Sequence, residues 1–253
     1  MKAKRTGAIV LPACCCLLSV AAATAQEQPA ERYIYATYSY CDFSKQDRYD
    51  EIFKQVQVPV LDAAMKDGSI TLYNYLAHQT GGQWRRVSVH GAGSVQALLD
   101  AQKKMGEQAD ADAGNKRLGA EASAICPSHD DYIWRAVAGN VGTTNRGGAA
   151  FSTYFVCDEA RESQADAVVT GMLAPVFDKM VADGKLTSWG WLEHIVGGKY
   201  RRLATMSAGD VKSLMEARAA VVAAMEDKAG GDVLTDVCGE HTDYIWEIRA
   251  QAP

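Results

Sequence analysis

An α+β protein made from one βαββαβ unit used twice is what this sequence predicts, and three observations predict it. The stretch CPSHDDYIW at 126–134 returns as CGEHTDYIW at 238–246. A constant shift of 116 residues carries Cys41 onto Cys157, Pro59 onto Pro175, Asp67-Gly68 onto Asp183-Gly184, His78 onto His194, Gly81-Gly82 onto Gly197-Gly198 and Arg85-Arg86 onto Arg201-Arg202 without a gap. The shift falls to 112 between Cys126 and Cys238, so the first copy is four residues longer before its last motif. Within each copy, strand-like and helix-like patterns follow the order strand, helix, strand, strand, helix, strand.

Tyr33 to Cys41 is rich in Tyr and Thr and reads as the first strand. A helix starts near Ser44, with Tyr49, Ile52, Phe53, Val56, Val60 and Leu61 at helical spacing and Gly68 as its stop. The second copy repeats the stripe with Val168, Val169, Met172, Leu173, Val176 and Phe177. Pro59 and Pro175 fall inside it and predict a kink or break. Ile70 to His78 and Trp84 to His90 read as strands joined by a hairpin at Gly81-Gly82. Ser94 and Asp210 are candidate N-caps of a second helix, and Asp131 to Val137 or Asp243 to Arg249 is the last strand. The polar segment 106–124 has the weakest pattern.

The ends and the composition bound the function. Lys2, Lys4 and Arg5, an apolar run from Ile9 to Ala22 and Ala23-Thr24-Ala25 read as a secretory signal over residues 1–25. A retained anchor lacks a stop-transfer flank, and Leu11-Pro12-Ala13-Cys14 is a weaker match to a lipoprotein site. The expected organisation is a signal at 1–25, a first repeat at 26–137, a Gly/Thr/Asn-rich linker at 138–149 and a second repeat at 150–253. The net charge of −5 becomes −8 once Lys2, Lys4 and Arg5 leave, which argues against a nucleic-acid partner. Cys14, Cys15 and Cys16 leave as well, and the remaining four, Cys41, Cys126, Cys157 and Cys238, point to disulfides in an oxidising compartment. No serine-nucleophile elbow, phosphate-binding loop or dinucleotide fingerprint is present, which weakens hydrolase and nucleotide-dependent readings.

The element order of each repeat resembles the ferredoxin-like unit, and the tandem resembles the dimeric α/β-barrel superfamily fused into one chain. The resemblance covers nearly all of the mature chain and rests on element order and duplication. It implies a sheet order of 4-1-3-2 in each unit, which brings Cys41 to Cys126 and Cys157 to Cys238 as one disulfide per repeat. A metal site using Cys126 and His129 is the rival reading, short of ligands unless His78 comes close. The superfamily includes haem-degrading enzymes and cofactor-independent oxygenases, so the resemblance leaves those chemistries open and transfers no catalytic residue.

Strand alternation groups the remaining candidates. Ile70, Leu72 and Leu76 are expected under helices. Tyr73 and Tyr75, with Trp189 and Trp191 in the second copy, are then expected to line a space between two sheets, together with Tyr132, Trp134, Tyr244 and Trp246. Such a cavity suits a small aromatic or amphipathic ligand, with Tyr73, Tyr75, Trp134, Trp189, Trp191, Trp246, Arg86 and Arg202 as candidate ligand-binding residues. The same rings could equally fill the interior, and the arginines could pair with Asp131 and Asp243. His78 and His194 are candidate catalytic residues, as general base or haem ligand, against a plain role bonding the neighbouring strand. His129 and His241 have a similar bland reading, fixing the loop beside the disulfide. Three functions follow: an exported monomeric small-molecule-binding protein free of the membrane after signal cleavage; an oxygenase-like or haem-handling enzyme using His78 or His194; and a structural envelope protein. No metal is expected and the sequence requires no cofactor, haem being the leading alternative.

Overall fold

The computed structural model describes residues 32–141, 145–226 and 231–252. The proposed signal at 1–25 and residues 142–144 of the proposed linker lie outside them.

The first half runs β1 (Tyr33–Tyr40), α1 (Gln46–Ile52), α2 (Val58–Lys66), β2 (Leu72–Gly81), β3 (Arg86–Ala92), α3 (Val95–Asp110), α4 (Ala113–Ile125) and β4 (Ser128–Gly139). The second repeats it as β5 (Ala149–Val156), α5 (Glu162–Val168), α6 (Ala174–Ala182), β6 (Ser188–Val196), β7 (Arg202–Ala208), α7 (Val211–Glu226), α8 (Gly231–Val237) and β8 (Glu240–Ala252). Ser94 Oγ accepts from Ala97 N at 3.1 Å and Asp210 Oδ1 from Ser213 N at 2.7 Å, capping α3 and α7 as expected. The weakly patterned segment 106–124 is the end of α3 and most of α4, which Asp112 caps through Asn115 N.

Each proline interrupts the regular α-helix without ending the helical run. A five-residue π turn, Phe53–Gln57 or Val169–Leu173, precedes each, and Pro59 and Pro175 stand in the first turn of α2 and α6. Proline lacks the N–H of that turn and its ring crowds the carbonyl four residues back; the wider turn, closed by Val58 N–H to Phe53 O and Ala174 N–H to Val169 O, accommodates it.

The strands close into an antiparallel barrel of order β1-β3-β2-β8-β5-β7-β6-β4. Each half contributes four adjacent strands, and the pairs β2/β8 and β4/β6 join the halves. Gly81, at φ +121°, sits where a side chain would collide with the Asp243 carbonyl, and Gly197, at φ +143°, where one would collide with the Tyr132 ring. The Gly-Gly turns therefore let each hairpin close on the last strand of the other half. Cys41–Cys126 and Cys157–Cys238 are disulfides that tie β1 to the approach of β4 and β5 to that of β8.

Inside the barrel, Tyr38, Trp84, Tyr132, Trp134, Tyr154, Tyr200, Tyr244 and Trp246 form one cluster. Trp134 Nε1 donates to Tyr38 OH at 3.1 Å, and Tyr132 stacks on Trp134 as Tyr244 does on Trp246. On one side of the rings lies a void of about 50 Å³, and at the end where the Gly-Gly turns meet, Trp84, Tyr132, Tyr200 and Tyr244 line a cavity of about 550 Å³.

The expected faces of β2 and β6 are reversed. Leu72 and Leu76 point into the barrel, whereas Tyr73, Tyr75, Trp189 and Trp191 pack beneath the helices. The physical reason lies in their polar tips: Tyr73 OH donates to Asp62, Tyr75 OH to Asp50, Trp189 Nε1 to Asp178 and Trp191 Nε1 to Asp166, all helical carboxylates. Alternation fixes which residues share a face, not which face is inside.

Candidate functional site

Each half has a cleft between its sheet and its helices, and duplicated positions build both. In the first half, Thr37, Ser39, Gln57, Ser88, Gln102 and His129 help line a polar cleft of about 530 Å³. In the second, a pocket of about 230 Å³ is walled by Phe151, Phe155, Leu173, Trp191, Met206 and Val221. The difference is written in aligned positions: Ser39, Gln57, Ser88 and His90 correspond to Phe155, Leu173, Ala204 and Met206.

Three polar side chains stand at the edge of the apolar pocket. His241 and Asp243 project from the same face of β8, with Nε2 3.8 Å from Oδ2, and Arg218 of α7 brings Nη2 to 3.7 Å from the same oxygen. The Arg218 guanidinium lies over the Phe151 ring at 4.9 Å, a cation–π contact that holds it at the wall. Asp243 Oδ1 is buried and has no hydrogen-bond partner among the described residues. In the first half the corresponding Asp131 accepts from Thr37 Oγ1 at 2.8 Å, and its His129 lies 3.2 Å away. The second half has thus kept a carboxylate and a histidine while surrounding them with apolar wall, an arrangement able to hold an organic molecule and to receive a proton from it.

The candidates read from the sequence are dispersed. Trp189 and Trp191 line this pocket, Tyr73 and Tyr75 lie in the equivalent layer of the first half, and Trp134 and Trp246 are inside the barrel. Arg86 and Arg202 are buried, but their partners are not Asp131 and Asp243. Arg86 Nε binds Asp50 Oδ1 at 2.5 Å, and Arg202 binds Asp166 at 2.7 Å and Glu162 at 3.0 Å, because both arginines face the helices. Those ion pairs occupy the guanidinium donors, so neither arginine presents a free charge to a ligand.

His78 and His194 are engaged as well. Arg85 Nη1 lies 2.9 Å from His78 Nδ1, and Arg201 Nη1 lies 3.0 Å from His194 Nδ1. Burial first, and then the adjacent guanidinium charge, lowers both ring pKa values. Each ring lies edge-on to the Tyr and Trp of the other half's last strand, Tyr244 and Trp246 or Tyr132 and Trp134. They therefore sit at the seam between the halves and not on the pocket wall.

The pocket of the second half, at about 230 Å³, is below the roughly 300–1,000 Å³ usual for sites of larger organic ligands, and His78 and His194, the expected axial residues for a haem, lie outside it against Arg85 and Arg201. Among the described residues no group of three His, Cys, Asp or Glu side chains could hold a metal ion, and the cysteines of the rival metal reading are bonded to each other.

The sequence reading undervalued His241 and missed Asp243, Arg218 and the phenylalanines as a group. The available signal was the set of polar-to-apolar changes at aligned positions of the two repeats.

No protein-family model matches the sequence, and neither does any curated protein. Solved structures do match. A candidate monooxygenase from Lactobacillus acidophilus NCFM aligns with a TM-score of 0.60 at 7% identity, over 87% of this chain and 95% of its own. An anthrone oxidase-like protein aligns at 0.52 and 12%, over 89% and 94%. A chlorite dismutase variant from Candidatus Nitrospira defluvii aligns at 0.53 and 8%, over 87% and 91%. At these identities the likeness is one of fold.

Proposed function

We propose, on the premise that the chain has the dimeric α/β-barrel fold with both halves on one polypeptide, that it binds a small, largely apolar organic molecule in the pocket between sheet and helices of the second half. The observation that carries this reading is the divergence of the paired clefts. One is polar and the other has become aromatic and aliphatic within the same framework of strands and helices. Each half is read as a ferredoxin-like unit, at 26–137 and 150–253, a reading supported by the strand order of each half. The mature chain is read as exported, a reading supported by the signal-like residues 1–25 and the two disulfides, and as a monomer because both halves of the barrel lie on one chain. No helix of the described residues is long and apolar enough to cross a membrane.

A second reading is favoured by the buried Asp243 Oδ1, which lacks a hydrogen-bond partner among the described residues, beside His241. There the molecule carries an activated C–H, His241 takes its proton while Asp243 orients the ring, and dioxygen accepts the electrons. A methylene then becomes a carbonyl and the oxygen atom not retained leaves as water. Two of the fold neighbours bear names of this chemistry, a candidate monooxygenase and an anthrone oxidase-like protein.

Anthrone, a tricyclic ketone with an acidic methylene, tests both. Under nitrogen it should quench tryptophan fluorescence saturably, and Phe155→Ser with Leu173→Gln should weaken binding at least tenfold. On admitting air, uptake of one dioxygen per anthrone that His241→Ala abolishes, with quenching retained, selects the oxygenase; no uptake selects the binding protein. Absence of saturable quenching by anthrone and by an anilinonaphthalene sulfonate dye would remove the pocket as the site.

A further inference from the structure

The segment joining the halves sends Arg146 into the barrel, where the 116-residue shift gives only Ala30 as its aligned position. Arg146 is fixed by its backbone, its N–H donating to Gln251 Oε1 at 2.8 Å and its carbonyl accepting from Thr187 Oγ1 at 2.6 Å. Its guanidinium lines the interior void of about 50 Å³ together with Val141, Ser152, Thr205, Leu72 and Val89. Nη2 is buried without a hydrogen-bond partner, and no carboxylate pairs with Arg146 among the described residues. Burial pulls its pKa down to about 10, which still leaves the group charged at neutral pH. Arg146 is only half-buried as a residue, but its Nη2 is shut off from water with neither hydrogen-bond partner nor counter-ion among the described residues, which is unfavourable and favours a negative charge in the void beside it.

Two further observations point the same way. Asn74, opposite Gln251 in the β2/β8 register, is fully buried with both side-chain polar atoms unpartnered, and Gln251 is the residue that receives the Arg146 N–H. The repeats have also diverged here: Ala36, Leu72, Val89 and Gly91 of the first half correspond to Ser152, Ser188, Thr205 and Ser207 of the second. Ser188 and Ser207 Oγ atoms lie 2.6 Å apart, and Ser152 and Thr205 border the void. The second half thus brings hydroxyls to the end of the barrel that Arg146 enters, where the first half has Ala36, Leu72 and Val89 at the aligned positions and Asn74 against Gly190.

We propose that the barrel interior at this end binds a small monoanion, with Arg146 as its counter-charge and the Ser152 and Thr205 hydroxyls as hydrogen-bond donors. The size of the void sets the class. It holds a few water-sized particles, which admits a halide, nitrate or formate and excludes an anion with an organic body. The site lies on the face of the sheet opposite the pocket of the second half, so either can fail without the other.

The test is thermal unfolding of the full mature chain at fixed ionic strength in sodium gluconate, with gluconate replaced stepwise by chloride, nitrate or formate. Binding to the folded state should raise Tm with the logarithm of anion concentration, by about 2 to 4 °C at roughly five times the dissociation constant for a chain of this length. A larger rise in chloride or nitrate assigns an inorganic occupant; a larger rise in formate assigns a carboxylate. In Arg146→Met the anion-dependent rise should vanish, and in Ser152→Ala with Thr205→Val the concentration that gives a set rise should increase at least tenfold, which keeps the test decisive if the first variant fails to fold. Crystals of the unaltered protein grown in bromide should show an anomalous peak beside Arg146. Equal Tm values in all four salts, an undiminished rise in Arg146→Met, or water alone in the bromide crystals would overturn the proposal.

Discussion

His90 is 5% exposed, lies against Tyr35 with ring centroids 5.3 Å apart, and is held at a pKa of about 4 by burial. Its unfolded value is 6.5, so the unfolded chain binds the extra proton first. The stability of the neutral buried ring is fully present above about pH 6.5 and is lost as pH falls toward about 4, by about 3 kcal/mol in all. The aligned residue of the second repeat is Met206. Urea unfolding between pH 7.5 and 4.5 should therefore show a shallower loss for His90→Met than for the unaltered protein. A second residue-scale prediction concerns Arg202, whose side chain is 4% exposed and pairs with both Glu162 and Asp166. Arg202→Ala leaves Asp166 without its cation and Glu162 with Arg201 alone, and should cost about 3 kcal/mol. Lys212→Ala, which breaks only the exposed pair with Glu216, should cost under about 1 kcal/mol in the same urea titration.

At the scale of elements, each disulfide closes a long loop, with sequence separations of 85 and 81. Replacing either pair by alanine should lower stability by about 3 to 5 kcal/mol, read from denaturant midpoints. The two differ in function because Cys238 lies in the wall of the second pocket beside Leu234. Cys157→Ala with Cys238→Ala should weaken binding of an apolar ligand, whereas Cys41→Ala with Cys126→Ala should leave it close to normal. The recurring motif can now be assigned part by part. Its cysteine staples the strand, its histidine and second aspartate, His241 and Asp243 in the later copy, edge a cleft, and its Tyr and Trp fill the barrel.

At the scale of the molecule, the pairs β2/β8 and β4/β6 close the barrel, and His78 and His194 pack across them. A half produced alone would leave both edge strands unpaired and its interior rings open to water. Residues 32–139 expressed separately should therefore dimerise or aggregate, and native mass spectrometry should find no stable monomer. Gly81→Ala should weaken the closure in the intact chain, since that residue combines a positive φ with contact against the Asp243 backbone.

The sequence by itself determined the duplication, the order of strands and helices, the caps at Ser94 and Asp210, and four cysteines in matched places, because each of these is a local or periodic signal. The resemblance built on that order added the cysteine pairing. Only the tertiary structure decided which face of β2 and β6 looks inward. A period of two is unchanged when the faces are exchanged, and the choice fell to the helical carboxylates that receive the Tyr and Trp donors. The same holds for both candidate sites. The pocket edge joins Arg218 of α7 to His241 and Asp243 of β8, and Arg146 reaches Ser152 and Thr205 from outside either repeat, meetings of distant segments that no local pattern encodes.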